Sequence, residues 1–425
     1  MTPTEETADP DRVAQLRGQA VEELIKDGTI VSPAVEAAMR TVPRHLFIPE
    51  VGPEEAYDPY QSVVTKRDTD GNALSSVSDM HVQAFMLGQA QITPGMNLLE
   101  LGSGGYNAAL MAELTGPSGR VTTVDIDEWV TDRASRMLDA AGYSRVNVVL
   151  ADAEVGVPDH APYDRILVTF GAWDTPPAWV EQLAEDGRLM VALRMRGLTR
   201  TVAFEKAGDH LVSVSSKLFG FVAVQGAGAH QAKLLVLRDG EVTLRFDDEF
   251  DTDPSLLEGA FDTPRVQVWS GAVIGAYEPL DTVQMWLATT LPGFCWVLVD
   301  PERDTGVVSP PRNRTAALAV VDGASFAYIT TRTAENVAAS AEFGVHAYGP
   351  AAAHLAEMVA EQLRVWSREH RGGPGPQYRI YPAEIPDDVL PAGRVIDKVR
   401  SRVVISWPQP ASTASGQGFL RPPTR

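Results

Sequence analysis

Three glycines fall in a short run, Leu98-Leu99-Glu100-Leu101-Gly102-Ser103-Gly104-Gly105-Tyr106, at the end of an apolar segment. Glycine at a strand-to-helix turn permits positive φ and lets backbone approach a ligand closely. A phosphate cradle would want Gly-x-Gly-x-x-Gly or a Gly-Lys-Ser/Thr ending, and neither is present. The next apolar run ends at Val124-Asp125, 21 residues after Gly104. An acid there can accept both hydrogen bonds of a ribose diol. The run after it leads into Ala151-Asp152-Ala153, where a carboxylate can accept from the exocyclic amino group of adenine. Each acid alone reads as a loop solvator. Together, at successive strand ends, they describe an adenosine pocket without a phosphate cradle, which favours S-adenosyl-L-methionine over NAD or ATP. Glu100 fits that reading as an acid that supports the turn and faces the cationic end of the cofactor.

These residues must be positioned by alternating strands and helices. Apolar runs at Asn97–Leu101, Val121–Asp125, Val146–Leu150, Arg165–Thr169 and Arg188–Leu193 are separated by helical or turn-rich stretches. That alternation predicts an α/β unit with a mostly parallel sheet. Arg200–Glu205 and His210–Ser215 read as a hairpin turned by Lys206-Ala207-Gly208-Asp209. Upstream, Val13, Leu16, Ala20 and Leu24 recur at helical spacing, and Ser32-Pro33 opens a second helix. Residues 44–75 read mostly as loop, and a further helix spans about Asp79 to Gln89. Downstream, Gln225-Gly226-Ala227-Gly228-Ala229 reads as the exit from this unit. Asp247 to Asp262 reads as a solvated acidic linker. Strand-like runs at Val266–Val273, Trp296–Val299, Ala316–Val321, Phe326–Thr330 and Val403–Trp407 follow, with one helix between His354 and Arg368. They predict a separate α+β domain. The expected division is residues 1–90, an N-terminal helical, acceptor-side region; 91–229, the cofactor-binding core; 230–408, an accessory domain; and 409–425, a disordered tail.

Length and composition bound the function. The 425 residues are 44% hydrophobic and 22% charged, too many for one ordinary core and unlike a disordered chain. A formal charge of −20 argues against nonspecific binding of nucleic acid or anionic membrane. One cysteine, Cys295, excludes an internal disulfide framework and a thiolate zinc cluster, and no metal site is expected. No apolar run approaches the roughly 20 residues of a membrane-spanning helix. The acidic start, Met1 to Asp11, lacks the pattern of a signal peptide, so the expected location is the cytoplasm.

The chain resembles the protein L-isoaspartyl O-methyltransferases over roughly residues 12–228. The resemblance rests on Val42-Pro43-Arg44-His45-Leu46-Phe47-Ile48-Pro49, Ala56-Tyr57, Ser76-Val77-Ser78 and the stretch Thr93 to Asn107. It continues in Pro162-Tyr163-Asp164-Arg165-Ile166-Leu167-Val168-Thr169, Pro176-Pro177, and Gln182-Leu183 through Gly187-Arg188-Leu189. It implies a doubly wound, Rossmann-like class I methyltransferase core, S-adenosyl-L-methionine as cofactor with S-adenosyl-L-homocysteine as product, and a carboxyl group as methyl acceptor. The implied cofactor site comprises Glu100, Gly102, Ser103, Gly104, Gly105, Asn107, Asp125, Ile126, Asp152, Ala153 and Thr169. Departures are a glycine turn one residue short before Tyr106, Met80 in place of proline, Ala153 in place of glycine, and a longer, charged Val63–Ser75 segment. Gly226-Ala227-Gly228-Ala229-His230 and Ser401-Arg402-Val403-Val404-Ile405-Ser406-Trp407-Pro408 look like an extended branch associated with lanthipeptide tailoring. That branch implies methylation of an Asp side chain in an acidic modified peptide, with collapse through a succinimide to Asp or isoaspartate; the alternative is repair of damaged proteins.

Methyl transfer to a carboxylate needs no general base, because the acceptor is already ionised at neutral pH. Alignment is what the protein must supply. Ser78 is the candidate for orienting the acceptor, and equally reads as a helix N-cap. His81 is the candidate for facing the cofactor carboxylate, and equally reads as an ordinary packed histidine. Thr169 either lines the transfer site or pins a strand end. Lys66, Arg67, Arg194 and Arg196, with Arg200, are candidates for drawing an acidic peptide to an acidic protein, each also readable as a solvated surface charge.

Overall fold

The computed structural model describes residues 9–248, 253–310, 315–334 and 340–408. The acidic start before residue 9 and the expected disordered tail lie outside these, as do 249–252 of the acidic stretch. By packing, the chain divides into two units. One is residues 1–234, 245–250 and 378–404; the other is 235–244, 251–377 and 405–425.

The first unit opens with α1 (Pro10–Lys26) and α2 (Pro33–Thr41), capped by Asp9 and Ser32 and each led by proline. A single turn, α3 (Pro53–Ala56), follows. Where loop was expected, β1 (Val63–Arg67) and β2 (Ala73–Val77) form an antiparallel ribbon. Its strands are polar and short, so alternation gives no signal, and such a ribbon needs packing to persist. Helix α4 (Met80–Ala90) is capped by Asp79, whose Oδ1 accepts from Val82 N at 2.7 Å. The N-cap reading of Ser78 is therefore corrected by one residue: the cap belongs to Asp79, which already supplies the oxygen.

The alternating region then delivers β3 (Asn97–Leu101), α5 (Tyr106–Thr115), β4 (Arg120–Asp125), α6 (Glu128–Ala140), β5 (Asn147–Leu150), β6 (Tyr163–Ala172), α7 (Pro177–Glu181) and β7 (Leu183–Met195). The five strands are parallel in the order β7-β6-β3-β4-β5. The centres of β3, β6 and β7 are mainly apolar and buried, as strands covered on both faces require, whereas the edge strand β5 is only half-buried. The order reverses between β3 and β6, so a crevice opens at the carboxyl ends of those strands. β8 (Leu198–Ala207) and β9 (His210–Leu218) extend the sheet as an antiparallel hairpin. The core is a doubly wound, Rossmann-like sheet with an antiparallel extension.

The second unit is built on a seven-stranded sheet in the order β10-β11-β13-β14-β15-β16-β12. Its elements are β10 (Lys233–Leu237), β11 (Val242–Phe246), α8 (Pro254–Glu258), β12 (Val266–Gly275), α9 (Asp281–Thr290), β13 (Phe294–Val299), β14 (Ala316–Asp322), β15 (Ser325–Thr333), β16 (Ser340–Tyr348) and α10 (Ala352–Glu369). Leu355, Val359, Leu363 and Trp366 form the buried stripe of α10, at the helical spacing read from the sequence.

The chain then returns to the first unit. β17 (Gln377–Pro382) pairs antiparallel with β9, and β18 (Arg394–Asp397) and β19 (Ser401–Ser406) complete a ten-stranded sheet. Sequence reading placed 230–408 in one accessory domain; the pairing of β17 with β9, some 170 positions apart, has no local signature. The acidic-linker reading also changes at its start. Asp247 is buried in the first unit, bonded to the Arg194 guanidinium at 2.7 and 2.5 Å and to Gly197 N at 2.6 Å. Among the described residues, no helix is long and apolar enough to cross a membrane.

Candidate active site

Strand register brings the chemistry-bearing residues to one edge. Leu101 lies opposite Val124 and Val168, and Asp125 opposite Leu150. The residues just past those partners, Gly102, Asp125, Asp152 and Thr169, therefore share a level at the carboxyl ends. They line a cavity open to solvent, together with Ser78, Glu100, Ser103, Gly104, Asn107, Ile126 and Ala153.

The glycine turn is fixed by bonds rather than by packing alone. Ser103 N donates to Asp125 Oδ2 at 3.0 Å, and Gly102 N to Val124 O at 2.8 Å. Gly102 has φ +100°, and a Cβ there would sit 2.6 Å from Thr169 Oγ1, so no other residue fits. Thr169 Oγ1 is 3.1 and 2.9 Å from the carbonyl oxygens of Leu101 and Gly102, to which it donates. It lines the cavity and pins the strand end as well. Gly104 differs: its φ lies outside the left-handed region, and its Cβ would meet nothing closer than 3.5 Å. Gly104 lines the cavity, and a Cβ there would lie against Val77 and Ser76 of the facing wall. Gly105, φ +79°, starts α5 and is not part of the lining.

Glu100 is fully buried. Its oxygens accept from Asn107 Nδ2 at 2.8 Å and Thr123 Oγ1 at 2.6 Å. Burial pushes its carboxyl up to about 7, and Asp125 adds to this, while the two hydrogen bonds oppose it. Asp125 is also raised by burial, against the bonds it accepts from Ser103 N and, at 3.0 Å, from Asp127 N. Asp125 also lines the cavity. Asp152 is held by Glu154 N at 2.9 Å and Ala227 N at 3.1 Å.

The other candidates are placed elsewhere. His81 is outside the lining, packed edge-on between Tyr60 and Phe219. Lys66 is paired with Asp127, which caps α6. Arg67 Nη1 donates to Gly71 O at 2.8 Å and closes the β1–β2 turn. Arg194 is tied to Asp247, and Arg196 to Asp248 at 3.0 Å. Four of the five cations expected to attract substrate are spent on carboxylates or backbone, and the fifth, Arg200, is buried in β8.

On the facing wall, sequence reading named Ser78 alone as a site residue. Leu74 to Val77 of β2, Val82, Gln83 and Met86 of α4, and Phe221 to Gln225 complete the lining. The last segment lies along β6, with Gly171 N donating to Val222 O at 2.7 Å and Val224 N to Gly171 O at 3.2 Å. The only hint in the sequence was the glycine-rich run beside it, read as an exit.

The residues fit an adenosyl sulfonium. Three carboxylates line the cavity, and among the described residues no Lys, Arg or His does so and the buried Ser103 hydroxyl has no hydrogen-bond partner. A cationic ligand suits such a site and a phosphate does not.

Fold and cavity together define a class I S-adenosylmethionine-dependent methyltransferase. The family model described as protein-L-isoaspartate(D-aspartate) O-methyltransferase matches residues 15–227. A protein-L-isoaspartate O-methyltransferase from Methanococcoides burtonii is 44% identical over 155 residues, covering 36% of this chain and 73% of that one. One from Hyperthermus butylicus is 35% identical over 212 residues, 48% of this chain and 85% of that one. A solved structure titled protein-L-isoaspartate O-methyltransferase covers 83% of this chain and 92% of its own at 21% identity, with a TM-score of 0.47. The chain belongs to the protein-L-isoaspartate(D-aspartate) O-methyltransferase family, whose members are S-adenosylmethionine-dependent carboxyl O-methyltransferases.

Proposed function

We propose that this chain esterifies an Asp-type side-chain carboxylate in a ribosomally made, modified peptide of the lanthipeptide kind. The observation that carries the substrate class is the extent of the chain: the family match ends at residue 227, and a second, strand-rich unit follows. Repair of L-isoaspartyl damage is the second reading, favoured by the names of the relatives over the matched core.

In this reading, Asp125 receives the ribose diol and Asp152 the adenine amino group. Glu100, Asn107 and Thr123 hold the turn at Gly102, Ser103 and Gly104. Ile126 and Ala153 supply apolar contact around the base. The cofactor supplies an electrophilic methyl group on a sulfonium. Ser78, relieved of capping by Asp79, donates to the acceptor carboxylate and aims one of its lone pairs. Two opposite charges become neutral as the ester forms, so a cavity walled by Val77, Val82, Met86 and Phe221 favours the reaction over its solvated start. Cytoplasmic location belongs to the same reading.

The test is to incubate the full chain with S-adenosylmethionine and either a ring-closed acidic precursor peptide or a linear isoaspartyl peptide. Mass spectrometry should show methyl gain on the precursor, then loss of methanol as the following backbone nitrogen closes on the ester to a succinimide. Turnover of the isoaspartyl peptide alone would transfer the assignment to repair. Truncation at residue 230 is a poor substitute, because it removes β17 from the first unit's own sheet.

A further inference from the structure

His81 and Lys217 meet beside the cavity. Lys217 Nζ lies 3.4 Å from His81 Nε2, and 5.0 and 5.3 Å from the ring centroids of Phe85 and Phe219. The His81 ring is edge-on to Tyr60 at 5.5 Å and to Phe219 at 5.1 Å. This cluster shares two elements with the cavity. Helix α4 gives Val82 and Met86 to the cavity and His81 and Phe85 to the cluster. The stretch after β9 gives Phe221 to the cavity, and Phe219 joins Lys217 in the cluster. Among the described residues, no carboxylate lies within ion-pair distance of Lys217, whereas Lys66, Arg194 and Arg196 are all paired. An ammonium only donates, so His81 Nε2 faces it as an acceptor and the imidazole is neutral, protonated on Nδ1. Burial and the Lys217 charge hold His81 below its ordinary range. Asp79 on the same helix and Asp27, whose Oδ2 takes the Tyr60 hydroxyl at 2.7 Å, pull the other way.

We infer that Lys217, backed by His81, is a binding subsite for a second carboxylate of the acceptor peptide, adjacent to the one that is methylated. The inference rests on the peptide-carboxylate reading above. Methyl transfer removes the acceptor's charge, so a cation paired with that carboxylate would stabilise the starting state more than the transition state. The cavity lining accordingly holds no cation. A cation one side chain outside it attracts an acidic peptide without opposing the reaction. On a chain with a formal charge of −20, such a local positive site governs how an anionic partner approaches. The aromatic faces of Phe85 and Phe219 keep the ammonium placed.

The test compares two acceptor peptides, one with an acidic residue beside the methylated position and one with the corresponding amide. Lys217→Ala and Lys217→Gln should raise KM for the acidic peptide about three- to tenfold, with kcat unchanged and the effect fading in salt. KM for the amide peptide should not move, and Lys217→Arg should restore the acidic preference. An equal change on both peptides, or none, overturns the subsite. An independent readout is the His81 imidazole followed by NMR: the acidic peptide should raise its pKa in the wild type, and an unmoved His81 contradicts the proposal. Methylation of neither peptide would refute the carboxyl-acceptor reading instead, while the His81 titration still decides the subsite.

Discussion

The two walls of the cavity are gathered from the chain in different ways. The strand-end wall uses Glu100 to Gly104, Asp125, Asp152 and Thr169, each just past a parallel strand and aligned by register. The facing wall joins β2, the first turns of α4 and Phe221 to Gln225, segments that meet only in three dimensions. The first wall is acidic and held by backbone hydrogen bonds. The second is apolar and hydroxyl-bearing, with its charges outside. That difference separates holding a cofactor from presenting an acceptor.

The largest test falls on the strand-end wall. Gly102→Val should cost about 3–5 kcal/mol of stability, from backbone strain and collision with Thr169 Oγ1. Chemical denaturation measures it, and a wild-type midpoint would mean that the turn is looser than described. Next is the titration of Glu100. Its folded pKa of about 7 lies above the ordinary 4.5, so its contribution is fully present below about pH 4.5 and is lost as pH rises through 7. Glu100→Gln should remove up to about 3 kcal/mol of that pH dependence, read as the wild-type-minus-variant difference in unfolding free energy between pH 4.5 and 8. A flat difference would show that the carboxyl is ionised in the fold. Asp125→Ala should weaken cofactor binding by about 1–3 kcal/mol in calorimetry; unchanged affinity would reject the ribose assignment. The smallest effect belongs to the facing wall. Ser78→Ala should lower kcat by roughly the value of one hydrogen bond, about 1 kcal/mol, leaving cofactor affinity alone. Loss of cofactor affinity in that variant would erase the distinction between the walls.

Legibility followed the same divide. Gly102, Asp125 and Asp152 were readable because each follows an apolar run directly, and strand order then fixes where they meet. Phe221 to Gln225 were not, since one bridge between Gly171 and Ala223 places them. The β1–β2 ribbon was read as loop because Thr65, Lys66, Ser75 and Ser76 break alternation. Asp247 looked like part of a solvated run until Arg194 and Gly197 were brought to it by the sheet edge. Lys217 gave no signal, because a cation without a carboxylate beside it, among the described residues, is visible only once its neighbours are known. Long-range pairing, such as β17 on β9, decides which half of the chain a segment joins, and no local pattern encodes it.

The central claim is that the strand-end wall holds the cofactor in the space kept open by Gly104. Calorimetric titration of the full chain with S-adenosylhomocysteine tests it most directly, comparing wild type with Gly104→Leu. The account predicts saturable binding to the wild type and none to the folded variant, because Gly104 lines the cavity and a Cβ there meets nothing closer than 3.5 Å. Binding that persists in the variant, or none by the folded wild type, would contradict it.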